Sequence, residues 1–446
     1  MNDIEEDNNK WAASSDATTF SEKASLSEDL DSCLPENLEA EELQLALNKE
    51  ANGDELSKAI NKCRDLILEN EQCSFERKWL VRHLIELRLR LQEYKEAMED
   101  PLHPRNKNSG VSNRTVKGHH LKLQPLLRNA SYKYCDHCTG TIWSVVQAWY
   151  ECEDCGYACH YKCIASILRE CAHVIACEKG QYELNICPEV GMSAQKYQCA
   201  ECKAPLILTA PSGITSCLGK LFLPDKEWSD VKKCDYTGLY YCSACHWSSS
   251  AVIPARVVHN WDLTPYLVSQ ASLQILRITA NRPLINLEKL NPRLFSLVQE
   301  LNLVRRLRQE LQGLKKYLVV CRKAKEEHLL WKCDRPHLID NTDMYSLQDL
   351  LDTQSGDLLT KLHNLVEDFS THVKINCEVC KGRGHICEIC QNEEILFPFV
   401  STAYICDKCN SVYHKNCIAR VRDLCPKCDR IKERLLKESE NNNNGE

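Results

Sequence analysis

The stretch that decides the fold reads Cys377-x2-Cys380, Cys387-x2-Cys390, Cys406-x2-Cys409, His414-x2-Cys417 and Cys425-x2-Cys428. A two-residue gap lets two side chains of one tight turn reach the same ion, and tetrahedral zinc takes its four ligands as two such pairs. A disulfide network is the competing reading of a chain with 29 cysteines. No apolar signal segment follows Met1, and the chain opens on an acidic, polar run. That sequence implies a reducing compartment, where clustered cysteine pairs serve as metal ligands rather than bridges. Cys377 and Cys380 form an extra pair, completed by Cys387 and Cys390, by His372 or by His385, or left as a spare knuckle.

The last four pairs resemble, in order and spacing, a cross-brace of the FYVE or PHD kind, in which pair one shares an ion with pair three and pair two with pair four. The resemblance implies one zinc on Cys387, Cys390, His414 and Cys417, and a second on Cys406, Cys409, Cys425 and Cys428.

The rest of the composition fits a metal-built protein. A chain of 446 residues accommodates two to four domains, and 29 cysteines with 15 histidines indicate that metal replaces apolar core in some of them. The net charge of -7 gives no support to a nucleic-acid binder, which is usually basic. No run long enough to span a bilayer occurs, so the chain is expected to be soluble and any membrane contact peripheral. The expected class is α+β, multi-domain and zinc-stabilised.

Residues 1–35, rich in Asp, Glu, Ser and Asn, cannot bury enough surface to offset the entropy of ordering and are expected to be disordered. From Glu36 to Glu99, Leu56, Ile60, Leu66 and Ile67, then Trp79, Leu80, Leu84, Leu87 and Leu91, recur at three- and four-residue intervals. They predict one or two amphipathic helices whose apolar face serves packing or a partner. Residues 100–118 read as a linker by their Pro, Gly, Asn and Ser content.

A second cluster follows at 119–171. His120, Cys135-x2-Cys138, Cys152-x2-Cys155, His160-x2-Cys163 and Cys171 supply eight ligands, enough for two closed sites. His119 is an alternative to His120, and Cys159, off the pattern, reads as a buried small hydrophobe. The gaps resemble those of the phorbol-ester/diacylglycerol-type zinc finger of the protein kinase C superfamily, a small β-structure. The resemblance implies interleaved pairing, with His120, Cys152, Cys155 and Cys171 on one zinc and Cys135, Cys138, His160 and Cys163 on the other. Where lipid-binding members carry a Pro, a Gly and a Gln, this chain has Tyr132, Ser144 and Ala148, so the lipid groove is not expected. Trp143, Val145, Val146 and Trp149 are expected to form an apolar tip.

From Gly180 onward lies the largest unit, expected over 180–437. Cys199-x2-Cys202 and Cys242-x2-Cys245 together make one ribbon-like zinc site, while Cys187, Cys217 and Cys234 lack two-gap partners and read as core thiols. Ala251 to Trp261 is strand-like. Leu294, Leu297, Val298, Leu301, Val304, Leu307, Leu311, Leu314 and Leu318 mark one buried helical stripe, with Arg305, Arg306, Arg308, Lys315 and Lys316 mostly outside it. Leu347 to Phe369 predicts a helix pair broken near Ser355-Gly356, Asp429 to Lys437 a short charged helix, and 438–446 a frayed tail.

Ile253-Pro-Ala-Arg-Val-Val-His-Asn-Trp-Asp262, Tyr266-Leu-Val-Ser269, Tyr317-Leu-Val-Val-Cys-Arg322 and the terminal Cys-x2-Cys series resemble the Rubicon-homology domain. The resemblance implies a non-enzymatic adaptor that binds a late-endosomal Rab GTPase of the Rab seven type. Its expected place is the cytoplasmic face of late endosomes and lysosomes, in lysosome positioning, endosome maturation or autophagy. Two rivals are weaker: a diacylglycerol-responsive signalling module, and a RING-type ubiquitin ligase, disfavoured because four residues separate Cys409 from His414. Neither a Gly-rich phosphate loop nor a nucleophile elbow occurs, and about five zinc ions are expected.

Overall fold

The computed structural model describes residues 51–443 except 73, 102, 107–112, 126–132, 145, 207–230 and 422–423, with the backbone alone over 437–443. The expected disordered start, the helix onset at Glu36, Tyr132, Val145, Cys217 and residues 444–446 of the tail lie outside the described residues. Two compact units follow one another along the chain, and each is described by itself.

The N-terminal unit begins with α1 (Gly53–Glu69) and α2 (Phe75–Glu99). A capping box starts α1: Asn52 Oδ1 accepts from the amides of Asp54 and Glu55 at 3.1 and 2.9 Å, and Glu55 Oε2 accepts from the Asn52 amide at 2.9 Å. Ser74 Oγ caps α2 by accepting from the Arg77 amide at 3.1 Å. Leu56, Ala59 and Cys63 bury against Trp79, Leu80 and Leu87, so the apolar stripes are spent largely on each other. Asp100 then accepts from the Tyr161 hydroxyl, and the His103 ring meets the Tyr161 ring edge-on at 4.7 Å.

The small β-structure is a four-stranded antiparallel sheet, in the order β1 (Asn113–Val116), β2 (His119–Leu123), β5 (Trp149–Cys152), β6 (Ala158–His160). Beside it lies the two-stranded ladder β3 (Lys133–Tyr134) and β4 (Thr141–Ile142). Residues 113–116, expected in the linker, are instead the edge strand, paired with β2 from Asn113 opposite Lys122 to Val116 opposite His119. The expected apolar tip is also corrected. Trp149 is 4% exposed, because the pleat turns it inward, where Lys133 Nζ sits 4.9 Å from its ring centre.

The C-terminal unit opens with α3 (Ala172–Lys179) and the two-stranded ribbon β7 (Lys232–Lys233) and β8 (Tyr240–Tyr241). Ala251 to Trp261 is not one strand. β9 (Ser249–Val252) gives way at Pro254 to α4 (Pro254–Asn260), since proline at the first helical position fixes a helical φ and forfeits only an amide that would lack a partner. Trp261 ends the helix in the left-handed region at φ 54°. β10 (Pro265–Val268) returns along β9 and leads into α5 (Gln270–Thr279).

The organising helix is α6 (Gln299–Leu318). Leu301, Val304, Leu311, Leu314 and Leu318 are fully buried, each contributing roughly 1.5–3 kcal/mol of apolar burial. The expected stripe is interrupted before it: Val298 is extended, and Leu297 is left 75% exposed. Arg308, expected on the outer face, has no exposure. Its Nε donates to Leu338 O at 3.2 Å, its Nη2 to the carbonyls of His337 at 3.3 Å, Met344 at 2.8 Å and Asn341, and it lies 4.2 Å over the Tyr345 ring. Carbonyls of the short helix His337–Asp340 and of the turn from it to Met344 therefore take the place of a carboxylate partner.

α7 (Arg322–Glu326), α8 (Leu347–Ser355) and α9 (Asp357–Thr371) complete the helical body, with Gly356 at φ 84° making the expected break. α9 runs on into one π-helical turn over His372–Asn376 and then α10 (Glu378–Lys381). The last metal-binding segment holds a hairpin, β13 (Ala403–Ile405) and β14 (Val412–His414), then α11 (Lys415–Arg420) and α12 (Pro426–Asn443). Here β11 and β12 are the two-residue strands Ile285–Asn286 and Met344–Tyr345. α12 extends to Asn443, beyond the expected end at Lys437.

Candidate metal centres

Among the described residues six sets of four thiol and imidazole side chains come together, five with all ligand atoms within 4.8 Å of one another and the sixth, Cys406, Cys409, Cys425 and Cys428, through two close sulfur pairs. A common local device builds them. In five Cys-x2-Cys turns the amide of the residue after the second cysteine donates back to the carbonyl of the first: Thr139 to Cys135, Gly156 to Cys152, Lys203 to Cys199, Gln391 to Cys387 and Asn410 to Cys406, at 2.8 to 3.1 Å. All five donors have positive φ, from 51° to 72°, and only one is glycine. The left-handed conformation costs a residue with a Cβ roughly 1–2 kcal/mol. Zinc bound by the two cysteines of each turn would offset it.

The first finger site brings together His119, Cys152, Cys155 and Cys171, with all ligand atoms within 4.8 Å of one another. His119, not the expected His120, is the imidazole. In β2 alternate side chains point to opposite faces, and the burial alternates: His119 in, His120 out, Leu121 in. His119 Nδ1 lies 3.3 Å from Cys155 Sγ, whereas His120 Nδ1 turns outward to Asp154 Oδ2 at 2.6 Å. The second finger site holds Cys135, Cys138, His160 and Cys163. His160 Nε2 bonds Thr141 O at 3.2 Å, which fixes the ring with Nδ1 facing Cys138 Sγ at 3.4 Å. Cys159 is fully buried away from both, and burial raises its pKa.

Cys199, Cys202, Cys242 and Cys245, the expected ribbon ligands, converge, with Cys202 Sγ 3.6 Å from Cys242 Sγ. Gly238 at φ 69° lets the β7–β8 turn pass under Pro188, where an added Cβ would meet Pro188 O at 2.4 Å.

Cys377 and Cys380 find partners that sequence reasoning had only in part. They converge with Cys321 and His372 in a fully buried set. Cys321 Sγ lies 3.4 Å from His372 Nε2 and 3.6 Å from Cys377 Sγ, and His372 Nδ1 faces Glu327 Oε2 at 3.3 Å. His372 was one of three candidates. Cys321 was missed because it stands 56 residues from Cys377 with no two-gap partner. Its available signal was its place in the Tyr317-Leu-Val-Val-Cys-Arg322 motif.

The residues of the expected cross-brace come together in two sets. Cys387, Cys390, His414 and Cys417 form one set, with His414 Nδ1 3.5 Å from Cys390 Sγ. Cys406 lies 3.6 Å from Cys428 and Cys409 3.4 Å from Cys425, sulfur to sulfur. The Ser411 hydroxyl at Cys409 helps bring that thiol down to about 6 against the opposing effect of burial.

The donor chemistry fits zinc. Within the crowded sets the thiols split, Cys199 lowered by Cys242 and Cys245 while Cys245 is raised by Cys199. Thiols this close share protons until a cation lets all of them ionise. Zinc supplies that charge and a tetrahedral template. Four protein ligands fill its shell, which is the arrangement of a structural site.

Two family models match the chain. The Phorbol esters/diacylglycerol binding domain (C1 domain) covers residues 119–174, and the Rubicon Homology Domain covers 232–433. A Drosophila melanogaster protein, "Differentially expressed in FDCP 8 homolog", is 42% identical over 415 residues, which is 90% of this chain and 80% of the relative. The chain belongs to the Rubicon homology domain family. A Caenorhabditis elegans relative with the same description is 36% identical over 328 residues, 72% of this chain and 64% of the relative. The mouse "Run domain Beclin-1-interacting and cysteine-rich domain-containing protein" is 35% identical over 248 residues, 55% of this chain and 24% of that protein. The Rubicon homology match starts at 232, so the ribbon site joins Cys199 and Cys202, upstream of the match, to Cys242 and Cys245 within it. Like the C1 domain before it, the region is a zinc-binding unit, and the chain holds several zinc ions.

Proposed function

We propose that the chain is a non-enzymatic adaptor of endolysosomal membranes, and that its Rubicon homology region binds a late-endosomal GTPase of the Rab seven type. The ligands we assign to its zinc ions are the six quartets above. Membership of a family that includes a Beclin-1-interacting relative supports the trafficking and autophagy setting. The observation that carries the reading is that every quartet has four protein ligands and so leaves no coordination position for a catalytic water, while helix α6 keeps an outer face unspent on the core.

On that face Leu303, Arg306, Gln309 and Lys316 are exposed, whereas Arg305 is tied to Glu288 at 2.9 Å and Lys315 to Asp340. Apolar and cationic groups on one rigid helix suit the apolar and acidic surface of a small GTPase. Residues 119–171 act as a structural or interaction module in this reading, because Ser144 is buried at 7% exposure and Trp149 belongs to the core.

The test is retention of Rab GTPases, in GDP and GTP-analogue forms, by the full zinc-loaded chain. Selective retention of a late-endosomal Rab in the GTP form is expected, and Arg306→Glu with Lys316→Glu should weaken it by roughly tenfold or more without loss of zinc. A folded chain that retains no Rab refutes the reading.

A further inference from the structure

The buried Cys321 quartet joins two segments that both carry exposed apolar side chains. One is 319–332, the other 374–383. Lys323 Nζ donates to Asn376 O at 3.2 Å, and Glu327 reaches His372 at 3.3 Å, so the two segments form one lobe around the metal-binding set. Trp331 is 84% exposed, although Leu329 and Cys333 on either side of it are buried. The turn is thus anchored while the indole is held out in solvent. Ile375 and Val379 are each 71% exposed, four residues apart, and Val320 beside Cys321 is 59% exposed. Solvent-facing indole and branched aliphatic groups on so rigidly tied a lobe contribute nothing to its packing.

Charge selects the occupant. The two segments carry Arg322, Lys323, Lys325 and Lys332, then Lys374, Lys381 and Arg383. Within the two segments Glu326, Glu327 and Glu378 stand against these seven cations, 7 − 3 = +4 in a chain of net charge -7, while Glu393 and Glu394 line one cavity with Lys374 and Lys381. Arg322 and Lys323 have carboxylate neighbours within the first segment, and Lys332 meets Asp368 at 2.6 Å. No ion pair holds Lys325 or Lys381 among the described residues. Isolated apolar side chains standing among cations match the boundary between lipid headgroups and acyl chains, where tryptophan partitions and cations meet acidic headgroups. A protein partner would more often be met by a contiguous apolar core with a polar rim.

We propose that this lobe is a membrane-contact face that rests on an anionic lipid bilayer, with Trp331, Ile375 and Val379 entering the headgroup boundary. The contact needs neither the C1 domain nor a GTPase. It adds a second point of attachment to an adaptor recruited by a protein.

The experiment is co-flotation of the full zinc-loaded chain with phosphatidylcholine vesicles, with and without phosphatidylserine, in the absence of diacylglycerol and GTPase. Binding to the phosphatidylserine vesicles, weakened by salt, is expected. Trp331→Ala should lower the apparent affinity about tenfold or more, from the apolar area of one indole. Lys325→Ser and Lys381→Ser should each lower it roughly fivefold. Brominated acyl chains should quench part of the wild-type tryptophan emission, and Trp331→Phe should remove that part. Zinc content and melting temperature should match the wild type throughout, since all these positions are exposed. Absence of vesicle binding overturns the proposal. So does equal vesicle binding by wild type, Trp331→Ala and Ile375→Asp/Val379→Asp. If Trp331→Ala instead loses GTPase binding while vesicle binding is unchanged, the face belongs to a protein partner and the proposal is likewise overturned. Because no GTPase is present in the vesicle assay, its failure leaves the Rab reading standing.

Discussion

Arg308→Met keeps the length of the side chain and removes its donors. In the folded chain the guanidinium serves the carbonyls of His337, Leu338, Asn341 and Met344 and stacks over Tyr345. Burial pulls its pKa down, the mark of a charge held away from water. Hydrogen bonds from a charged donor contribute about 1.5–3 kcal/mol each. Desolvating the cation costs several kcal/mol in return, so the four cannot be summed. What remains after substitution is a set of stranded buried acceptors, a loss of about 3–5 kcal/mol. For a unit of this size that corresponds to a fall in Tm of roughly 6–10 °C. The assay is thermal unfolding of the full zinc-loaded chain, with hydrogen exchange followed over residues 337–346. Arg306→Met, two residues away and exposed, is the control and should stay within about 0.5 kcal/mol of the wild type. If Arg308→Met melts with that control and its 337–346 amides exchange no faster, the account of Arg308 as the pin of this segment is wrong.

Two further outcomes follow from the same helical body. Asp349 is fully buried; burial pushes its pKa up, but bonds from His337 at 2.6 Å, the Ser346 amide at 2.8 Å and Arg335 at 2.7 Å bring it down to about 2. A depressed carboxyl stabilises the fold above its unfolded value of about 4 and loses that contribution as pH falls through about 2, so at neutral pH Asp349→Asn should cost about 2–3 kcal/mol in a denaturant titration. Wild-type stability in that variant would refute the network. Gly313→Ala places a Cβ 2.5 Å from Phe399 Cβ and should destabilise by about 1–3 kcal/mol, outweighing the better helix propensity of alanine; a gain in Tm would show that the 397–399 segment does not pack there.

The sequence made the metal chemistry legible because two-gap pairs are local: each turn announces its own ligands before any tertiary contact is known. The sites that escaped needed non-local or finer information. Choosing His119 over His120 depends on which face of β2 turns inward, a one-residue question of register. Cys321 joins its quartet only because α6 and α9 pack together and a π-helical turn carries His372 towards it. Arg308 breaks the expectation that a cation beside an apolar stripe faces water, since the carbonyls that satisfy it come from some thirty residues further along the chain. Pro254, taken as part of a strand, begins a helix, because a proline fits both and only the following residues' packing decides.

The central structural claim is that metal, rather than apolar core, fixes the loops, at six centres among the described residues, including the one that Cys321 completes. Zinc content per chain tests it most directly, measured on the purified full chain and on Cys321→Ala. The account predicts six ions in the wild type and 6 − 1 = five in the variant, with the lost ion accompanied by faster exchange around 372–381. Five ions in both proteins, with no change in that segment, would contradict it.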